Sequence, residues 1–153
     1  MPLVIWTRIV PWPDYADGGV FLHELRPGLK EAGGLQAGPD DVELMPEVQV
    51  HKKDYVVDKR RYSAFHGTEL EDIPRAGRIE CLMVGGVTTS MCVESTVRDA
   101  GRRDYKTFVV RDACADFADD RHRASFEAMA FGFGRVISHN EALAALEPER
   151  ANL

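Results

Sequence analysis

The stretch Cys81-Leu82-Met83-Val84-Gly85-Gly86-Val87-Thr88-Thr89-Ser90-Met91-Cys92 constrains the chain more than any other. Four residues of an apolar run lead into a glycine pair, and a helix-compatible segment follows over about 89–102. The pattern predicts a buried strand, a tight turn and a helix whose first turn carries Cys92. Thr89 is the expected N-cap, which puts Cys92 at the third helical position. Backbone N–H groups and the positive end of the helix dipole favour a thiolate there. A thiolate beside amides able to hold an oxyanion is the equipment of a cysteine nucleophile. The competing reading is a cysteine that only packs between strand and helix.

Around this stretch, strands and helices alternate. The β-branched run at 3–10 suits a parallel strand covered on both faces. A short strand beginning at Val56-Val57 delivers Lys59, and further strands are expected at 79–84, 106–112 and 135–138. Helices are expected at 69–77, with Thr68 as cap and Glu71 in a capping box, at 119–131, and at 141–146, capped by Asn140. Residues 11–50 read as irregular, with turn signals at Pro11-Trp12-Pro13-Asp14, Asp17-Gly18-Gly19 and Gly38-Pro39-Asp40-Asp41. A loop of that length suggests a lid or a subunit contact. The alternation implies an α/β domain spanning 1–153, an open, mostly parallel sheet with helices on both faces.

Composition narrows the function. With 153 residues, 44% hydrophobic and 29% charged, the chain suits one ordinary core. A net charge of −6 and the lack of a basic, aromatic-interleaved run argue against nucleic-acid binding. No apolar run approaches the roughly 18–20 residues that span a bilayer, and the N-terminal residues lack signal-peptide character. Cys81, Cys92 and Cys114 form neither an even disulfide framework nor a metal-type spacing, so a reducing cytoplasm is expected. Cys81 and Cys114 read as packing residues.

A second segment, Lys59-Arg60-Arg61-Tyr62-Ser63-Ala64-Phe65, turns the balance toward chemistry. Together with Gly86-Val87-Thr88-Thr89-Ser90-Met91-Cys92-Val93-Glu94-Ser95-Thr96, it resembles the isochorismatase-like cysteine hydrolases. Their K-x-x-Y-S-x-F and G-V-x-T-x-x-C-V-x-x-T motifs stand here in the same order. Arg111-Asp112-Ala113 and Phe131-Gly132-Phe133-Gly134-Arg135-Val136 look like the family's downstream pattern, so the similarity reaches to about residue 146.

The resemblance implies a Rossmann-like three-layer fold and a small-molecule amide or ureido substrate, with no cofactor, no nucleic acid or membrane partner, and a homodimer or homotetramer. It also implies a nucleophilic Cys92, a cationic Lys59, a cis peptide between Val87 and Thr88, and oxyanion donors at the Thr88 and Cys92 amides. Read alone, Lys59 could equally be a solvated lysine among Lys52, Lys53, Arg60 and Arg61. Tyr62 is a candidate for the pocket wall or a half-buried core tyrosine, and Phe65 reads as core. Trp12 is a candidate for pocket or interface, and Arg8 for binding a substrate carboxylate or for plain solvation. His23, His51, His66, His122 and His139 are scattered, with no His-x-His or Asp-x-His pair, which speaks against the metal site of the nicotinamidase branch. The presence of Cys92 speaks against the branch that cleaves isochorismate's vinyl ether. The wording after Cys92 looks most like members acting on ureidoacrylate or biuret.

One departure stands out. The family's proton-shuttling aspartate ends a strand that precedes the one matched by Met1-Pro2-Leu3-Val4. Three accounts are compatible with this. The first is a sequence that is a piece of a longer one, or that begins at an internal methionine. The second is an inactive form, a pseudoenzyme or binding scaffold. The third is substitution by Asp14 or Asp17. The expectation for these 153 residues is an amidase with greatly reduced or no turnover.

Overall fold

The computed structural model describes residues 2–35 and 42–147. They pack as two compact units, one formed by Leu3–Leu70 and the other running from Glu71 onward. The turn signal at 38–41 lies outside the described residues.

In the first unit, β1 (Ile5–Ile9) and β2 (Tyr55–Lys59) form a two-stranded parallel sheet, with Ile5 opposite Tyr55 and Ile9 opposite Lys59. Because each strand has one neighbour, β1 is half-buried rather than covered on both faces. The segment expected to be wholly irregular contains a π-helical turn, Phe21–Leu25, and a short helix, α1 (Pro27–Glu31), with proline in its first turn. Leu22 is buried inside that turn, and one buried side chain is enough to hold a helical turn that has little periodic signal. Tyr15 is buried at positive φ, and its hydroxyl donates to the Gly34 carbonyl at 2.8 Å.

The second unit is built on a three-stranded parallel sheet in the order β3 (Cys81–Val87), β4 (Lys106–Ala115), β5 (Arg135–Ile137). Its helices are α2 (Asp72–Ala76), α3 (Glu94–Arg102), α4 (Asp119–Gly132) and α5 (His139–Leu146). Val93, Val97, Val109, Phe126 and Met129 form the core, with Val84, Cys114, Phe133 and Val136 packed against it. The expected α/β class with parallel strands is what forms, divided between two sheets.

Three expectations about this unit need correcting. β3 is an edge strand of its sheet, so its residues alternate between exposed and half-buried and none is fully buried. Cys81 at its start is consequently exposed instead of packed. Thr68 does not cap α2: its hydroxyl bonds the Ala64 carbonyl and the Leu70 N–H, so the chain turns there and the helix begins after Glu71. The last helix is capped two residues earlier than Asn140, by Ser138 in a reciprocal capping box with Glu141. The Asp112 carboxylate also accepts the His139 N–H at 2.8 Å.

The glycine pair of the organising stretch answers two separate needs. A Cβ on Gly85 would sit 3.0 Å from the Ala113 side chain and 3.1 Å from its carbonyl oxygen. Gly86 adopts φ +135, which side-chain-bearing residues rarely adopt. Between Val84 and Gly86 the register with β4 shifts, so Gly86 pairs with Cys114 and Val87 with Ala115. This irregularity brings the residues after β3 alongside the end of β4.

Candidate active site

Cys92 lies in a π-helical turn, Thr89–Val93, that continues directly into α3. The cap is Thr88, in extended conformation, rather than Thr89; Cys92 is therefore the fourth helical residue, not the third. The reason is visible in the backbone: the Met91 and Val93 N–H groups both donate to the Thr88 carbonyl, at 3.3 and 3.2 Å. The peptide bond between Val87 and Thr88 is cis. The Thr88 hydroxyl oxygen is buried and has no hydrogen-bond partner among the described residues.

Thr89 is held by β4 and α4. Its hydroxyl lies 3.0 Å from the Ala115 carbonyl and 2.8 Å from His122 Nδ1. A hydroxyl has one proton, and a carbonyl can only accept, so Thr89 donates to Ala115 and accepts from His122. His122 therefore carries a proton on Nδ1, with its ring edge-on to Phe126 at 4.5 Å.

Asp116 sits beside them, with a side chain only 1% exposed. Its carboxylate accepts the Ser90 N–H at 2.6 Å and the Phe117 N–H at 2.8 Å, and Arg121 lies 3.7 Å away. Burial pushes this carboxyl up, but the hydrogen bonds from Ser90 and Phe117, with the Arg121 charge, outweigh it and hold it below its ordinary value. Cys114, by contrast, is pushed up by burial against the opposing Gly86 N–H, as befits a packed thiol.

In the first unit Lys59 ends β2 and is 4% exposed, with Nζ donating to the Arg61 carbonyl at 3.0 Å. A buried ammonium is expensive, and a solvated lysine is not what this side chain is. Arg8 forks onto its register partner Asp58, at 2.8 and 3.1 Å, and reaches Glu43 at 2.9 Å. Those three bonds use three of the five guanidinium N–H donors and fix Arg8 between two carboxylates. Tyr62 is half-buried and meets Phe21 edge-on at 5.4 Å, Phe65 is buried, and Trp12 is 53% exposed. Asp14 accepts the Ala16 N–H within its own turn. Asp17 accepts the Trp12 N–H at 2.8 Å through one oxygen, and the other lies 3.0 Å from Arg60 Nε.

Thr88 and Cys92 thus share one helical entry with three groups that pattern reading passed over: the Thr89 hydroxyl, Asp116 and His122. The signal for Asp116 was its place just after a strand, at the end where parallel sheets carry their sites. For His122 there was none, because its contact with Thr89 bridges two distant segments. Among the described residues no group of three or more His, Cys, Asp and Glu side chains could hold a metal ion, and no helix is long and apolar enough to cross a membrane.

Parallel strands alternating with helices, with Cys92 in the helical turn that follows a glycine-bearing strand end, make this an α/β fold. The chain belongs to the isochorismatase domain family, whose model matches residues 3–141. It is 37% identical over 120 residues to the ureidoacrylate amidohydrolase RutB of Acinetobacter baylyi, covering 72% of this chain and 49% of that protein. Among solved structures, it is similar to a cysteine hydrolase from Pseudomonas syringae pv. phaseolicola, with TM-score 0.86 and 31% identity over 95% of this chain and 72% of that one. N-carbamoylsarcosine amidase from Thermoplasma acidophilum gives TM-score 0.69 and 29% identity, covering 88% and 71%. The chain spans about half the length of the curated relatives it matches.

Proposed function

We propose that this chain is a cysteine hydrolase of C–N bonds in small amide or ureido compounds. Cys92 Sγ, as thiolate, attacks the carbonyl carbon, and the Thr88 and Cys92 amides hold the resulting oxyanion. The C–N bond breaks, the amine leaves with the proton that the Cys92 thiol released on ionising, returned through solvent, and a thioester remains on Cys92. Water then attacks the thioester, releasing the acid and restoring the thiol. Lys59 is assigned the cationic role toward the thiolate, as the resemblance of its Lys59–Phe65 segment to the family motif implies. Tyr62 and exposed Trp12 remain candidates for substrate contact.

The observation that carries this reading is the orphaned Thr88 hydroxyl at the entry to the turn that bears Cys92. A buried polar atom without a partner calls for an explanation, and a substrate's polar group supplies one. The printed activities of the ureidoacrylate and N-carbamoylsarcosine relatives point to the ureido and carbamoyl class. Three free thiols suit a reducing cytoplasm, and Phe131, 96% exposed on α4, suits self-association.

A second reading, a family member without turnover, draws on Asp14 and Asp17. Asp14 accepts the Ala16 N–H and Asp17 the Trp12 N–H, with the second Asp17 oxygen facing Arg60, so both are held within the early loop. The two readings separate on acylation by p-nitrophenyl acetate, whose leaving group needs no acid. The hydrolase reading expects one equivalent of nitrophenolate that Cys92→Ser abolishes, followed by ammonia release from a carbamoyl or ureido panel. Acylation without any amide turnover supports the inactive reading, and no Cys92-dependent acylation removes the hydrolase.

A further inference from the structure

The helical entry around Cys92 is fastened from outside its own segment. Four backbone N–H groups open any helix, and their direction follows the orientation of the first turn. Here the Ser90 N–H is taken by the Asp116 carboxylate, while Met91 and Val93 converge on the Thr88 carbonyl. The Thr89 side chain, fully buried, is pinned between the Ala115 carbonyl and His122 Nδ1–H. Asp116 is itself fixed by the Phe117 N–H and flanked by Arg121.

We propose that Asp116 is a positioning residue for the Cys92 reaction, acting through the Ser90 N–H to hold the turn that carries the oxyanion donors. This rests on the hydrolase reading above. A carboxylate is not what the nucleophile itself would choose at this end of the helix. It shares the positive end of the dipole with a thiolate and opposes its charge. A nearly buried carboxylate in that place is explained by geometry: it is a two-oxygen acceptor that can bind Ser90 and Phe117 at once. Asparagine keeps an acceptor for the Ser90 N–H without the charge; alanine keeps neither.

The test pairs two reagents on wild type, Asp116→Asn, Asp116→Ala and Thr89→Val, with Cys92→Ser as blank. p-Nitrophenyl acetate acylates through an oxyanion and so reads the donors. Iodoacetamide alkylates by direct displacement and reads only the thiol. The expected result is a fall of about tenfold in Cys92 acylation for Asp116→Ala, with alkylation changed less than twofold. Asp116→Asn should stay within about threefold of wild type, and Thr89→Val should fall about threefold in acylation alone. Loss of folding would slow or speed both reagents together, and Thr89→Val then carries the test. Acylation unchanged in folded Asp116→Ala and in Thr89→Val overturns the inference while leaving the hydrolase intact. Absence of Cys92-dependent acylation in wild type overturns the hydrolase reading first, and this inference with it.

Discussion

The two compact units carry the two site candidates in different ways. The second unit presents Cys92 on regular elements: a strand end, a helix start, and a core of Val93, Val97, Val109, Phe126 and Met129 from α3, β4, α4 and the turn before α3. The first presents Lys59 at the end of a two-stranded sheet, in a unit that buries Val10, Leu22, Val57, Phe65 and Leu70 and adds a set of polar fastenings. Arg8 is held to Asp58 and Glu43, Trp6 Nε1 donates to Asp54, Asp17 is fastened by Trp12 and Arg60, and Tyr15 reaches Gly34. Apolar burial is tolerant of direction and resists perturbation by its size. Polar fastenings are directional and individually worth about 1 kcal/mol. The Cys92 turn combines both kinds, the core beneath it and the bonds of Thr89 and Asp116 beside it, while Lys59 is buried at a strand end and donates to the Arg61 carbonyl.

The sharpest way to break that contrast is Met129→Ala. Met129 is fully buried at the centre of the second unit's core, and its truncation should remove about 2–5 kcal/mol, read as lost hydrogen-exchange protection in β4. Protection in β2 that fell equally would show that the two units open as one. Next in size is Lys59→Met, which exchanges a buried ammonium for an apolar chain of similar length. Its stability should be unchanged or raised by up to about 2 kcal/mol, with acylation of Cys92 slowed about tenfold. A destabilised variant with unchanged acylation would make Lys59 structural.

Tyr15→Phe should cost about 1 kcal/mol, confined to exchange in the first unit, since it deletes one buried hydrogen bond and leaves the ring. A loss above about 3 kcal/mol would mean that the loop is more cooperative than its fastenings imply. The smallest effect is in acid. Asp112 is held down by the His139 N–H and side chain, Asp116 by bonds that outweigh its burial, and Glu141 by the Ser138 N–H, all in the second unit. In the first unit Asp54 is lowered by the His51 N–H. A carboxylate with a lowered folded value stabilises fully above its ordinary range and loses that contribution as pH falls through the lowered value. Below about pH 4 the protection of β4 should therefore decline more steeply than that of β2. Equal slopes would remove this part of the contrast.

Much of the second unit was legible in advance because its signals are local. Val-Val runs, turn residues and the glycine pair act on their own neighbours, so β4, α4 and β5 start close to where expected. Errors fell where a distant partner outbid a local preference. Thr89 looked like a cap because threonine caps helices, but Ala115 and His122 claim its hydroxyl and the cap passes to Thr88. For Arg8, which its sequence context left open between a substrate carboxylate and solvent, Asp58 is the partner met across β1 and β2. Cys81 looked buried because its strand is apolar, whereas strand order makes β3 an edge.

By itself, then, the order of residues determined the alternation of strands and helices, the glycine turn and the place of Cys92 in a first helical turn. These follow from backbone preference and periodicity, which act over a few residues. Only the tertiary structure decided that Lys59 is buried, that Asp14 and Asp17 are already engaged, and that Asp116 and His122 stand behind the Cys92 turn. Burial and hydrogen-bond partnership depend on which distant segments meet, and that is settled only as the chain folds.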